Sequence, residues 1–367
     1  MALPDQRVRG GPPVHLYLLR DKLCALGVDM RAFIYGGRRH NEGAVWKVFS
    51  RLVDLACLPV LVLRHRPDVV QLNSAFDRKG VLRDVFFVPV VRLLGQRVVL
   101  KFHGSDLNLL ESRHPFWRML MGTVVRSATV VCVLSHEEAA AFRRRYPYIW
   151  LQVVKNALDL SRYACQDNFR GRYHIPPHKP LLLFVARFIA AKGLQEVIQA
   201  LPIIRQRHDV HAVFVGDGPV RQENEKLVRT LGLEGCTTFT GYLPEDETVG
   251  AYRTSTVLVF PTYHQEGMPM VIFHALACGL PVVTTRIRAA TDWLEEGKHC
   301  LFVPAREPQL LAQAVLRLLD NGLLRQQMGQ HGRALAQRFE ATTVAHEFMD
   351  LYDAVARHNG REERRML

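Results

Sequence analysis

The sequence predicts an α/β protein built from two doubly wound parallel-sheet units, and three observations point there. Apolar, β-branched runs such as 68–73 (DVVQLN), 97–102 (RVVLKF) and 129–134 (TVVCVL) alternate with helical stretches, the pattern of strands covered on both faces. The alternation stops in a polar stretch, 159–180, that ends in Pro176, Pro177 and Pro180, and then begins again; this stretch reads as a linker. A length of 367 residues suits two domains better than one.

In chain order, helical spacing covers 14–26. A strand over 29–35 runs into Gly36–Gly37, and an apolar-faced helix covers 44–63. Strand 68–73, helix 81–94, strand 97–102, helix 116–126, strand 129–134, helix 137–145 and strand 150–154 complete the first unit. The second places strands at 181–186, 211–215, 237–240, 257–260 and 282–284, with helices at 194–205, 220–231, 245–253 and 270–278 between them. Helices at 308–319, 323–338 and 343–357 follow. The predicted divisions are 1–165, 166–342, a helix at 343–358 returning to the first unit, and a charged tail at 359–367. Ligands are expected at the carboxyl ends of the strands, in a cleft where the loops of the two units face one another. Ahead of Gly10–Gly11, the segment ALPDQRV looks too short and polar for a buried first strand. That strand is expected to be missing or degenerate, and the natural chain to start further upstream.

No apolar run reaches the 18 or so residues of a membrane span; the longest, 52–63, is flanked by basic residues. Residues 1–9 hold no apolar signal core, so a cytoplasmic location is expected. Seven cysteines without a CxxC pair read as buried thiols rather than a disulfide frame or zinc site. The net charge of +13 is lopsided: residues 1–170 hold 26 Lys and Arg against 14 Asp and Glu, and residues 171–367 hold 22 against 21. An anionic partner of the first half is expected to use that excess, with a merely solubilising surface as the plainer alternative. Apolar and basic residues mix at 46–66 and 115–126. Peripheral contact with an anionic membrane and simple core faces are both open there.

Four features of the second half carry chemistry. Arg187 and Lys192 flank the turn after the strand at 181–186 and converge on one diphosphate, the fork of one and the point charge of the other. Gly216-Asp217-Gly218-Pro219 is a tight turn that admits a ligand close to the backbone, without being a full dinucleotide fingerprint. Gly241-Tyr242-Leu243-Pro244 offers backbone groups and an aromatic edge to a base. The stretch 263–285 (YHQEGMPMVIFHALACGLPVVTT) places Glu266 and Gly267 in a loop, then a helix entered near Pro269 and closed by Gly279. Its first turn leaves N–H groups free for an anion, and His274 lies inside it. Taken singly, each has a plainer reading, an ordinary turn or a core histidine.

In order and spacing these features resemble the retaining GT-B glycosyltransferases of the glycosyltransferase 4 type, also called glycosyl transferases group 1. The matching residues are the R-x4-K of Arg187 and Lys192, GDGP, FTGYLP, EGMPMVIFHALACGLPVV and GKHCLFVP; HGSD (103–106), VLS (133–135) and NALD (156–159) match more loosely. The resemblance spans about 10–357. It implies two Rossmann-like domains, a nucleotide-sugar donor and no metal or other cofactor. Arg187 and Lys192 would bind the donor diphosphate and stabilise its leaving charge. Glu266 would hydrogen-bond donor-sugar hydroxyls, and the backbone of Gly267, Met268, Pro269 and Met270 would meet phosphate or sugar. Tyr242 and Leu243 would line the base site beside Gly241 and Gly216. His103 would stand beside the transferring sugar, and Gly10–Gly11 would close over the diphosphate or acceptor. Transfer would retain anomeric configuration by front-face attack. The expected acceptor is a glycan, lipid-linked or envelope-precursor molecule, and the chain is expected in the cytoplasm, with membrane contact peripheral.

The chain also departs from that pattern. The family has Glu-x7-Glu, and position 274 is His: a neutral imidazole has one acceptor nitrogen where a carboxylate has two oxygens for the ribose diol. Ala157 stands where glycine is usual, Arg288-Ala289 replace a Gly-Gly, and Asp292 keeps the charge of a usual glutamate. Arg288 is expected to add a positive contact near the donor sugar or acceptor. Three rivals follow: a non-catalytic or weakened sugar-nucleotide-binding protein, a GT-B sugar-nucleotide epimerase, and a nucleic-acid binder, for which no recognisable module accompanies the charge.

Overall fold

The computed structural model describes residues 1–3, 11–34, 43–164 and 168–358. In chain order the first elements are β1 (Ala2–Leu3), α1 (Gly11–Ala25), β2 (Phe33–Ile34), α2 (Ala44–His65), β3 (Val69–Phe76), α3 (Arg78–Leu93), β4 (Arg97–Ser105), α4 (Leu107–Leu110), α5 (Pro115–Ser127), β5 (Val130–Val133), α6 (His136–Arg145) and β6 (Leu151–Val153). There follow α7 (Phe169–Arg172), β7 (Leu181–Val185), α8 (Leu194–Arg205), β8 (His211–Val215), α9 (Arg221–Thr230), β9 (Thr237–Gly241), α10 (Glu245–Thr254), β10 (Val257–Phe260), α11 (Met270–Cys278), β11 (Val282–Thr284), α12 (Arg288–Trp293), β12 (Cys300–Phe302), α13 (Pro308–Asp320), α14 (Gly322–Ala336) and α15 (Ala341–Arg357). Two compact units result. Unit 1 holds Met1–Ala157, Gln265–Met268 and the chain from Ala341 on; unit 2 holds Leu158–His264 and Pro269–Glu340.

Unit 1 carries a parallel sheet in the order β3-β4-β5-β6 and a separate parallel pair, β1-β2. The β-branched strands are buried on both faces, and Phe76, Phe102 and Phe142 meet edge-on and stacked at its centre. The first strand, expected to be missing or degenerate, is present among the described residues as Ala2–Leu3. Ala2 and Leu3 are fully buried, Ala2 pairs with Phe33, and the Ala2 carbonyl accepts a hydrogen bond from the Asn73 side chain at 2.7 Å. A side-chain amide on β3 satisfies a carbonyl of β1 beside the backbone ladder with β2. The strand predicted at 29–35 shrinks likewise to Phe33–Ile34. Helix α15 packs against α1 and β4.

Unit 2 carries six parallel strands in the order β12-β11-β10-β7-β8-β9. Their loops leave at the carboxyl ends, and β7, with β10 on one side and β8 on the other, marks the change of winding direction. The expected linker at 159–180 belongs to this unit. Phe169 is fully buried, and Arg170 donates to the carbonyls of Pro176, Lys179 and Thr254 at 2.7–3.1 Å. One half-buried arginine fork satisfies backbone carbonyls of a stretch whose polar composition suggests solvent-exposed chain.

Candidate functional site

In unit 2 the turns singled out by spacing are joined by backbone hydrogen bonds at the carboxyl ends of four adjacent strands. Arg187 leaves β7 in an exposed turn, and Lys192 ends a single 3-10 turn with its ammonium 5.7 Å from the Phe260 ring. The turn after β8 locks onto this one: Phe188 N–H donates to the Asp217 carbonyl at 2.8 Å, and Val220 N–H to that of Phe188 at 3.3 Å. A Cβ at Gly216 would lie 1.8 Å from the Ala186 carbonyl oxygen, and one at Gly218 2.3 Å from that of Phe188. Glycine is required there by close approach as well as by positive φ. Gly216 N–H donates to the Gly241 carbonyl at 2.9 Å, joining the turn after β9. Tyr263 N–H donates to the Ala191 carbonyl at 2.9 Å, joining the loop after β10. Tyr242 is about half exposed, at 49%.

Helix α11 has the punctuation its sequence announced. Pro269 is its N-cap without a side-chain hydrogen bond, and Gly279 closes it in the left-handed conformation at φ 69°. The loop before it does not stay with this helix, which corrects the predicted division. Gln265–Met268 count with unit 1, for a packing reason. Gly267 is buried where a Cβ would lie 3.0 Å from Leu134 Cδ1, and the Met268 sulfur accepts from Asn156 N–H at 3.5 Å. The seat under Gly267 is the VLS segment. Ser135 caps α6, accepting from Glu138 N–H at 3.2 Å, and the Glu138 carboxylate accepts from Leu134 N–H and the Ser135 hydroxyl. Glu266, half-buried, is thus carried on unit 1 while Pro269 and Met270 belong to unit 2.

His103 lies near the end of β4 in a chain of polar side chains. Its Nε2 is 3.3 Å from Asn73 Oδ1 and its Nδ1 is 3.3 Å from His15 Nε2. Asn73 turns its amide N–H to Ala2, so Oδ1 is the acceptor; it also receives Gln71 Nε2 at 2.9 Å, and Gln71 accepts from the Tyr352 hydroxyl. That fixes the tautomer: His103 donates from Nε2 and accepts at Nδ1. Burial, then the charge of Lys101 and then His15, hold His103 well below the ordinary histidine pKa, so it is neutral. Lys101 is itself buried, donates to Asn156 Oδ1 at 2.9 Å, and is lowered to about 7 by desolvation. Gly11 opens α1; Gly10 lies outside the described residues.

His274 has a different neighbourhood. The Tyr163 hydroxyl meets its Nδ1, its Nε2 is 3.9 Å from Glu245 Oε1, and the Tyr252 ring centre is 5.9 Å away. Burial and then Arg162 lower its pKa to about 4. The one acceptor nitrogen that the sequence reading allowed it is therefore engaged inside the protein. Ala157 takes its place without a positive φ, so alanine fits where glycine is usual. Arg288 keeps a left-handed backbone at φ 31°, a conformation that costs a non-glycine residue about 1–2 kcal/mol, and it is 4% exposed.

The glycosyl transferases group 1 model matches residues 179–321, most of the turn-bearing unit. TuaC of Bacillus subtilis, a glycosyltransferase assigned to teichuronic acid biosynthesis, is 30% identical over 283 residues, 74% of this chain and 67% of its own. The chain belongs to the glycosyl transferases group 1 family. It is a glycosyltransferase, and its fold is GT-B. Sucrose-phosphate synthase from Thermosynechococcus elongatus superposes with a TM-score of 0.80 at 19% identity, covering 96% of this chain and 98% of that one. Anabaena HepE, solved with UDP and glucose, gives 0.75 at 20% identity over 96% and 98%.

For a group 1 glycosyltransferase, several neighbours of the predicted residues carried no signal in the sequence. His15 is 88 positions from His103, and Tyr163 is 111 from His274. No spacing rule reaches that far. Glu245 follows the GYLP turn directly, and the sequence marks it only as the start of a helix. Among the described residues, no group of three or more His, Cys, Asp or Glu is arranged to hold a metal ion, and no helix is long and apolar enough to cross a membrane.

Proposed function

We propose that the chain is a retaining, metal-independent glycosyltransferase that moves a sugar from a nucleotide-sugar donor to a glycan, lipid-linked or envelope-precursor acceptor. One observation carries the donor part: the loops after β10, β7, β8 and β9 are tied by backbone hydrogen bonds at one end of one sheet, with Arg187 and Lys192 on them. Two cations there suit a diphosphate leaving group, the role a metal ion plays elsewhere. Gly216, Gly241, Tyr242 and Leu243 then serve the nucleoside end, and Pro269, Met270 and His274 the start and body of α11. On unit 1, Glu266, Gly267 and Met268 serve the donor sugar, His103 the transferring centre, and Gly11, with Gly10, the diphosphate or acceptor. HepE, solved with UDP and glucose, and the teichuronic acid biosynthesis assignment of TuaC support this donor and acceptor class.

A thermal-shift screen with UDP, GDP, ADP and their sugars identifies the donor. With that donor, Arg187→Ala and Lys192→Ala are each expected to lower turnover about 10²–10³-fold without loss of folding. Product anomers followed by NMR in EDTA should show retention at an undiminished rate; inversion, or arrest by EDTA, refutes the mechanism.

The acceptor side favours peripheral contact with an anionic membrane. On α2, Val45, Trp46, Val48, Phe49, Leu52, Val60 and Leu63 are all more than half exposed, and basic residues follow at Arg64 and Arg66. Such a face inserts its apolar side while its cations meet lipid phosphates. Binding to vesicles containing anionic lipid should fall as salt rises; salt-independent or absent binding rejects this reading.

A further inference from the structure

Loop 265–268 is held on unit 1 at two points. Gly267 seats on Leu134 by shape, and the buried Met268 takes the Asn156 N–H on its sulfur. A thioether is a weak acceptor, but this second contact has a direction, so it depends on how Asn156 is held. Val154 N–H still donates to the Val133 carbonyl at 2.9 Å beside β5. Past it β6 has ended, and a side chain takes over. Asn156 Oδ1 accepts from Lys101 Nζ at 2.9 Å, and the Lys155 carbonyl lies 3.5 Å from the same nitrogen. One ammonium on β4 thus grips two successive residues, the second of which carries the loop.

Stability does not account for this lysine. Lys101 is fully buried, with its ammonium 5.0 Å from the centre of the Phe348 ring on α15. Cys132, in register with it on β5, stays a thiol because burial pushes its pKa up to about 12. Glu347 of α15 pairs with Lys155 instead. Among the described residues no carboxylate reaches the Lys101 ammonium. A buried ammonium without an ion-pair partner lowers stability, and an apolar side chain of similar length would fill the same space without that penalty. What the lysine adds is an N–H aimed at Asn156, present whether the nitrogen is charged or neutral. It also stands two residues before His103, on the same face of β4. One strand face therefore carries both the anchor of the loop and the histidine assigned to the transferring centre.

We propose that Lys101 is a positioning residue for sugar transfer: through Asn156 it fixes Met268, and so sets Glu266, two residues earlier in the chain, against the donor sugar. The inference rests on the reading of Glu266 as a donor-sugar contact, and its test separates the two. UDP is titrated calorimetrically beside UDP-glucose and UDP-N-acetylglucosamine, GDP beside GDP-mannose, and ADP beside ADP-glucose, with melting temperatures to check folding. The proteins are wild type, Lys101→Met, Asn156→Ala, their combination, Asn156→Asp and Glu266→Ala. Lys101→Met and Asn156→Ala should each weaken the nucleotide sugar about three- to tenfold, with the bare diphosphate within about twofold. The combined variant should be no worse than either alone. Asn156→Asp, which keeps an acceptor for the lysine, should restore the nucleotide-sugar affinity to within about twofold of wild type. Amide exchange in the peptide 264–270 should quicken in the first two variants and not in Asn156→Asp. A merely structural lysine would move the melting temperature and leave the ratio of the two affinities unchanged, and that result overturns the proposal. So do fully additive losses in the combined variant, which mean that the two residues act separately. Where Lys101→Met does not fold, an unchanged ratio in Asn156→Ala overturns it alone. If Glu266→Ala weakens the nucleotide sugar and the anchor variants do not, only the anchor falls. If Glu266→Ala leaves the ratio unchanged, or wild type binds none of the probes, the underlying reading fails and the proposal with it.

Discussion

His103 in unit 1 and His274 in unit 2 are both neutral imidazoles held there by burial, and they are tied in opposite ways. His103 has both ring nitrogens engaged, by Asn73 and His15, in a chain that runs on through Gln71 to Tyr352 on α15. His274 has one nitrogen engaged by Tyr163 and turns the other to a carboxylate beyond hydrogen-bond reach. The first is a fixed ring whose orientation is set from two sides. The second is a half-satisfied ring that presents a donor. Residue type and protonation state are the same, so the partners decide what each can do.

The largest expected effect tests that contrast through catalysis. His103→Ala should lower kcat about 10²-fold, the scale of losing one oriented polar contact to the transition state, with nucleotide affinity within about twofold. His274→Ala should do the reverse, weakening nucleotide binding about tenfold while kcat changes much less. Steady-state kinetics with calorimetric titration of the nucleotide reads both quantities. Equal losses in both quantities for both variants would erase the distinction.

How much of this was legible in the sequence follows from the range of the interactions. The ends of α11, the strands of both sheets, and the placing of Arg187, Lys192, Gly216 and Gly241 at strand ends are set within a few residues of chain. Turn chemistry and β-branched runs announce them. The short β1 was not legible, because its partners are Phe33–Ile34 and the Asn73 side chain 71 positions away, which no local pattern connects to it. The polar stretch 159–180 misled because its carbonyls are satisfied by Arg170, a residue type that composition counts as surface. Loop 265–268 reads as the start of the α11 motif, yet the close approach of Gly267 to Leu134 and the Asn156–Met268 hydrogen bond place it with unit 1. The sequence marks position 274 as a departure from the family pattern. What it does there depends on Tyr163 and Glu245, which no local pattern connects to it.

A smaller effect separates the causes of neutrality in the two rings. His274 is lowered by burial and Arg162, whereas His103 owes part of its shift to Lys101, two residues earlier on β4. Lys101 is lowered from 10.5 to about 7 in the folded chain. Between those values the unfolded chain holds a proton that the folded chain does not, so stability rises with pH across the window, by at most about 1.4 kcal/mol per pH unit. Below pH 7 both states carry the proton and the full cost of burying the charge is present; above 10.5 neither does. Lys101→Met removes this slope. It also removes the donor to Asn156 Oδ1, a constant loss of about 1 kcal/mol. The variant should therefore melt above wild type near pH 6.5, with the gap closing or reversing by pH 10 as the lysine cost disappears. Differential scanning calorimetry across that range checks it, and a gap that does not change with pH means the Lys101 pKa is not lowered in the folded chain.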